Sequence, residues 1–207
     1  MAREFTGWAG DFRGFFLGLH ANNSKQYFEA NRRRYELDVK GPMVALLADL
    51  EPEFGPARLS RPNRDIRFSA DNSPYKTNIY ATTSGGGYVA LDAEGLVAGG
   101  GRHMMDAAQL ARFREAVAAP AGGSELELIV AELRQQAYDV AGQELKRVPP
   151  PHPQDHPRGD LLRYKRLIYW QRWPIGPWLA TALPRDRVAS AWNDGAKLNA
   201  WLAVHLD

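Results

Sequence analysis

Apolar positions in the first quarter of the chain recur at spacings of three and four. Trp8, Phe12, Phe15, Phe16 and Leu19 form the stripe of an amphipathic helix over 8–20. Asn22, Asn23 and Ser24 break it, and Ser24 suits the N-cap of a second helix carrying Tyr27, Phe28 and Tyr35. Gly41-Pro42 marks a boundary, because proline fits the first turn of a helix. Met43, Leu46, Leu47 and Leu50 then face inward on a third helix that ends near Gly55-Pro56. Residues 1–55 are thus expected to be helical.

The period changes at residue 57. Ile66 and Phe68 alternate with Asp65, Arg67 and Ser69, which is strand spacing, and Asn78 to Thr83 forms a second alternating run. Tyr88–Leu91 and Leu96–Ala98 flank Asp92-Ala93-Glu94-Gly95, a hairpin signal, and Gly99-Gly100-Gly101 follows. Strands and a hairpin are therefore expected over 57–105. Helices are expected over 106–136, one capped by Asp106 with Leu110, Phe113 and Val117 inward, the next begun by Ser124 with Leu126, Ile129, Val130 and Leu133 inward. Over 138–175 the pattern predicts a short hairpin of Tyr138–Val140 with Glu144–Val148 around Gly142. A proline-rich loop at 149–157, one or two helical turns at Leu161–Lys165 and an aromatic strand at Leu167–Trp173 complete that stretch. A helical region at 184–206 carries Val188, Trp192, Leu198, Trp201 and Leu202. This order predicts one α+β domain over 1–207, a mainly antiparallel sheet packed with N-terminal, central and C-terminal helices, rather than strict βαβ alternation.

Composition narrows the chemistry. The 207 residues, 44% of them hydrophobic, suffice to bury a core without a metal or a disulfide. The absence of cysteine excludes disulfides, thiolate nucleophiles, Cys-ligated zinc and iron–sulfur clusters. Glu4, Asp11 and Arg13 interrupt the N-terminal apolar residues, so no secretory signal is read there. No run approaches the roughly 20 apolar residues of a membrane span, so a cytoplasmic protein without a membrane partner is expected. Arginine outnumbers lysine 20 to 6 and alanine is abundant, a usage typical of GC-rich bacterial genomes. The net charge of +2 excludes a polycation, but it hides a segregation. Residues 58–76 carry five cations against two anions and residues 146–172 seven against two, leaving the rest acidic.

The first basic segment is the chemically dense one. Over 61–78, RPNRDIRFSADNSPYKTN, Arg61, Arg64, Arg67 and Lys76 alternate with Asp65, Ser69, Asp71, Ser73, Tyr75 and Thr77. Neighbouring guanidiniums clamp a carboxylate or phosphate bidentately, and an intervening aspartate can fix an arginine rotamer while leaving its outer donors available. Asp71-Asn72-Ser73-Pro74 is turn chemistry that would carry Tyr75 and Lys76 back toward the strand. The alternative is a solvated ion-pair network on an exposed strand.

The run Arg61, Arg64-Asp65, Arg67-Phe68-Ser69, Asp71, Pro74-Tyr75-Lys76-Thr77 resembles the signature of the bacterial domain of unknown function family 2461. The resemblance extends to Phe15-Phe16-x-x-Leu19, to Asn22-Asn23-x-x-x-Tyr27-Phe28 and to Gly99-Gly100-Gly101 before a helix. It also includes Leu145-Lys146-x-Val148-Pro149, Asp155-His156-Pro157 and Leu161-Leu162-x-x-Lys165. It covers nearly the whole chain and implies a single-domain bacterial protein. It assigns no catalytic role. The chain departs from it at Asn72, where a lysine is expected, and at Pro150-Pro151, where Arg-Gly is expected.

His152, Asp155 and His156 offer two imidazoles and a carboxylate, but the surrounding prolines prevent the helix that would gather them, and no metal site is assigned. Asp155 could orient His156 for proton transfer, or simply cap a helical turn begun by Pro157. The glycine triplets could cradle a phosphate, yet neither fits a P-loop or dinucleotide fingerprint, and close backbone approach is the simpler reading. Trp170, Trp173 and Trp178 with Tyr164 and Tyr169 could stack on a base or sugar, or be core or an interface. The sequence supports first a binding or regulatory module for an anionic small ligand. Its ligand-binding candidates are Arg61, Arg64, Asp65, Arg67, Ser69, Asp71, Tyr75, Lys76, Asp155, His156 and Lys165. The alternative is a metal-independent enzyme in the same pocket, with His156 or Lys76, then Asp65 and Tyr75, as acid–base candidates. A nucleic-acid-associated protein is the third reading. No cofactor is implied.

Overall fold

A computed structural model describes residues 4–65 and 72–206. The chain combines helices with a six-stranded sheet of order β1-β2-β3-β4-β6-β5, an α+β architecture as the periodicities predict. The strands are β1 (Ala57–Leu59), β2 (Asn78–Thr83), β3 (Gly87–Asp92), β4 (Gly95–Arg102), β5 (Asp139–Ala141) and β6 (Leu167–Pro174). β1 pairs antiparallel with β2, β2 with β3 and β5 with β6. Two compact units can be distinguished, one of Met1–Ala98 with Arg172–Ser190, the other of Gly99–Gln171 with Ala191–Asp207.

In the first unit, α1 (Phe12–Ala21) buries Phe12, Phe15, Phe16 and Leu19. It starts four residues later than the apolar stripe suggests. Gly7 is at φ +98, outside the helical range, and the Asp11 carboxylate caps the helix by accepting from the Gly14 N–H. Trp8 is nonetheless core: its N–H donates to the Leu179 carbonyl and its indole N–H to that of Val39. Ser24 caps α2 (Lys25–Ala30) as predicted, its Oγ accepting from the Tyr27 N–H. The expected continuous second helix is broken at Asn31, whose φ and ψ of −108° and 10° leave the helical well. A short α3 (Arg32–Arg34) and a π-helical turn (Tyr35–Lys40) then lead into α4 (Gly41–Phe54). α4 buries Met43, Leu46 and Leu50 and ends at Gly55, which takes φ +74. Leu47, also expected inward, is half-buried. The strand proposed around Ile66 and Phe68 lies outside the described residues. β2 and the β3–β4 hairpin fall where the alternation places them, and the Asp92 carboxylate closes the hairpin by accepting from the Glu94 and Gly95 N–H groups.

In the second unit, Gly99–Gly101 is part of β4 rather than a separate turn. A Cβ on Gly99 would stand 2.0 Å from the Tyr169 carbonyl oxygen, so the triplet is there for backbone approach to β6. The Gly101 N–H donates to the Asn199 side chain and is thereby committed. α5 (Ala107–Ala118) carries the Asp106 capping box with Gln109. α6 (Pro120–Gln135) begins at Pro120, not at Ser124, because proline takes the first position and Gly122 and Gly123 let the helix approach the Ala116 and Val117 carbonyls. The predicted hairpin of 138–148 does not form. Val140 pairs with Tyr169 of β6, while Glu144 bridges Tyr164. Gly142 sits against the Arg166 carbonyl, which its missing Cβ permits. α7 (Gly159–Leu162) and α9 (Ala196–Leu206) also belong to this unit, whereas α8 (Leu183–Asp194) lies mostly in the first. Among the described residues no helix is long and apolar enough to cross a membrane.

Candidate functional site

Two motifs far apart in sequence meet in the first unit. The side chain of Asn23 grips the backbone of Tyr75 from both sides: Nδ2 donates to the Tyr75 carbonyl at 2.9 Å and Oδ1 accepts from its N–H at 3.0 Å. The Tyr75 ring lies flat on Phe28, with centroids 4.2 Å apart and planes 3° from parallel, and is buried. Phe28 in turn packs on Phe15 and Tyr35, and the Tyr27 hydroxyl donates to the Phe15 carbonyl. Asn-Asn-x-x-x-Tyr-Phe is therefore a cradle for Pro74-Tyr75-Lys76-Thr77.

The cradle fixes where Lys76 emerges. Asn63 bridges Tyr75, the Arg64 N–H donates to the Pro74 carbonyl, and the Lys76 N–H donates to that of Pro62, so 62–64 and 74–76 run as a two-strand ribbon. Lys76 Nζ donates to the carbonyls of Arg61 at 2.6 Å and Asn63 at 2.5 Å. Burial, and then the nearby positive charges of Arg61 and Arg64, hold its ammonium below the ordinary lysine range.

Beside this ribbon lies a cavity of about 440 Å³ lined by His20, Arg64, Lys76, Thr77, Asn78, Asp92, Ala93 and Glu94. Its lining is divided by charge. Arg64 and Lys76 supply cations, His20 an imidazole, and Asp92 and Glu94 come from the β3–β4 hairpin. Asp92 is already saturated: Arg172 Nη1 and Nη2 each donate to one of its oxygens at 2.9 Å, in addition to the two backbone N–H groups. Burial opposes its ionisation, but the Arg172 hydrogen bonds and the backbone donors outweigh that and hold the carboxyl below its usual range. Glu94, 79% exposed, sits at the rim, 3.5 Å from Arg172.

On the same sheet face as Asn78 and Asp92 stand Tyr80 and Tyr88. Their rings are 5.8 Å apart, and Lys76 Nζ lies 5.9 Å from the Tyr80 ring centre. Burial, with Tyr80 and Asp92 adding negative character nearby, pushes the Tyr88 phenol up to about 12.

Of the residues singled out in the sequence, Arg64 and Lys76 line the cavity, and Arg61 contributes its carbonyl to Lys76. Asp65 is exposed. Tyr75 serves as a buried support. Arg67, Ser69 and Asp71 lie outside the described residues. Asp155, His156 and Lys165 belong to the second unit. There Asp155 and Lys165 are exposed. Asp155 caps nothing: α7 starts at Gly159, and it is His156 Nδ1 that accepts from the Arg158 N–H. Arg158 is the structural residue of that loop, donating to Glu127, Ser124 and the Val117 carbonyl. Of the aromatic set, Tyr164 and Tyr169 are core, while Trp173 and Trp178 enclose the Arg187 guanidinium. His20, Asn78, Asp92 and Glu94 carry no site signal in the sequence. Asp92 and Glu94 read in sequence only as turn residues, and His20 carries no motif of its own.

A family model described as "Conserved hypothetical protein (DUF2461)" matches residues 11–201 of the chain. No curated protein and no solved structure matches it.

Proposed function

The chain belongs to that family, and we propose that it is a binding or regulatory module for an anionic small ligand, phosphate- or carboxylate-bearing, held in the cavity by Arg64 and Lys76. The observation that carries this reading is the crowding of like charge. Lys76 is partly desolvated with Arg61 and Arg64 beside it, and its proton affinity is lowered in consequence. A bound anion would relieve that repulsion, which is the electrostatic condition of an anion site. The cavity volume of about 440 Å³ suits a small molecule rather than a length of nucleic acid. From its arginine-rich, lysine-poor composition we also infer a bacterial origin.

An enzyme using Lys76 as acid–base would draw on the same lowered proton affinity. The two carbonyls that accept from Nζ favour the charged donor, however, and binding accounts better for a lysine held in that way.

The test is thermal unfolding with inorganic phosphate and pyrophosphate. A ligand at 100 times its Kd stabilises by about 2.7 kcal/mol, a readily measured rise in Tm. Arg64→Ala and Lys76→Met should each remove the rise. No rise in the wild-type protein at tens of millimolar phosphate or pyrophosphate would refute the reading.

A further inference from the structure

We infer that the ligand of this site carries a planar aromatic ring as well as a single phosphate, so that the site takes a nucleoside monophosphate, the ring stacking on Tyr80 and the phosphate meeting Arg64 and Lys76. The inference deepens the anion-binding reading and rests on it.

Three features support the ring. Asn78 and Tyr80 follow each other on one face of β2, and Asn78 lines the cavity. The Lys76 ammonium, also in the lining, lies 5.9 Å from the Tyr80 ring centre, so the charged part of the cavity and the aromatic surface are contiguous. The residue paired with Tyr80 across the sheet is Ala90, whose small side chain leaves the space above it to the two tyrosines. Half-buried tyrosines beside an ammonium on one strand face offer a stacking surface of the kind that binds bases without sequence preference.

The division of charge supports a single phosphate. Arg64 and Lys76 lie in the lining, whereas the β3–β4 hairpin contributes Asp92 and Glu94. Arg172 pairs with both Asp92 and Glu94, so one guanidinium faces two carboxylates and the hairpin keeps a net negative charge that would repel a second or third phosphate. The Glu94 carboxylate is instead suited to accept from sugar hydroxyls.

The experiment is calorimetric titration of the full chain with inorganic phosphate, ribose 5-phosphate, adenosine monophosphate and adenosine triphosphate. The monophosphate should bind roughly tenfold or more tightly than ribose 5-phosphate, the scale of one stacking contact. It should also bind more tightly than the triphosphate. Tyr80→Ala should bring the monophosphate down to the ribose 5-phosphate affinity and leave the latter unchanged, whereas Tyr80→Phe should retain the preference. Equal affinities for ribose 5-phosphate and the monophosphate overturn the inference while leaving the anion site standing. A triphosphate that binds more tightly overturns the single-phosphate assignment. Absence of binding by every phosphate species defeats both readings. Should Tyr80→Ala fail to fold, the comparison of ligands on the wild-type protein decides alone.

Discussion

The Asn23–Tyr75 clamp makes the strongest single mutational prediction. Asn23→Ala removes a donor and an acceptor at once, leaving the Tyr75 carbonyl and N–H without their side-chain partners beside a ring that stays buried on Phe28. Each such hydrogen bond contributes about 0.5–1.5 kcal/mol net, so the pair is worth about 1–3 kcal/mol. For a chain of this size 1 kcal/mol shifts Tm by about 2–4 °C, and a loss near the middle of the range lowers it by about 4–8 °C. Urea unfolding followed by tryptophan fluorescence measures the change as a shift of midpoint at constant slope. Asn22→Ala is the matched control, since Asn22 is exposed at the end of α1. Because the clamp sets the exit of Lys76 toward the cavity, Asn23→Ala should also weaken phosphate binding, and Asn22→Ala should not. A loss below about 0.5 kcal/mol, indistinguishable from the control, would refute the view that the N-terminal motif exists to hold the Pro-Tyr-Lys-Thr turn.

Two further outcomes follow from the same structure. Gly99→Ala should destabilise by more than about 3 kcal/mol, because the new Cβ would meet the Tyr169 carbonyl at 2.0 Å and backbone must move. Gly85→Ala, with nothing nearer than 3.9 Å, should be tolerated, and urea midpoints for the two would compare them directly. Anion affinity should depend on Lys76 protonation with a definite sign. Its folded-state proton affinity is lowered, so the ammonium is complete only below that reduced value. Phosphate binding should therefore be strongest below it and fall as pH rises through it, beginning before an ordinary lysine would titrate. Binding at a pH within that range should take up protons. Calorimetry of the wild-type protein in buffers of different ionisation enthalpy would detect the proton uptake or exclude it.

The parts of the fold that were legible in the sequence are those where one local rule acts alone. Ser24, Asp106 and the Asp92–Gly95 turn each satisfy their own backbone donors, so capping and turn chemistry locate them without knowledge of the rest. The misplacements share a different cause: a partner remote in sequence decided between two acceptable local structures. Trp8 fits a helical stripe, yet its N–H is taken by Leu179. Val140 fits a hairpin with 144–148, yet it pairs with Tyr169, because Gly142 brings that turn against Arg166. The candidate site divides in the same way. Arg64 and Lys76 announce themselves by charge density, whereas Asn23 matters only through its grip on a residue 52 positions away, and a neutral side chain in a loop gives no charge or periodic signal of that. A motif of neutral residues that folds beside a motif of charged ones is therefore better read as its support than as a second site. The Asn-Asn-x-x-x-Tyr-Phe run, whose side chains hold Tyr75 and pack on Phe15 and Tyr35, fits that description.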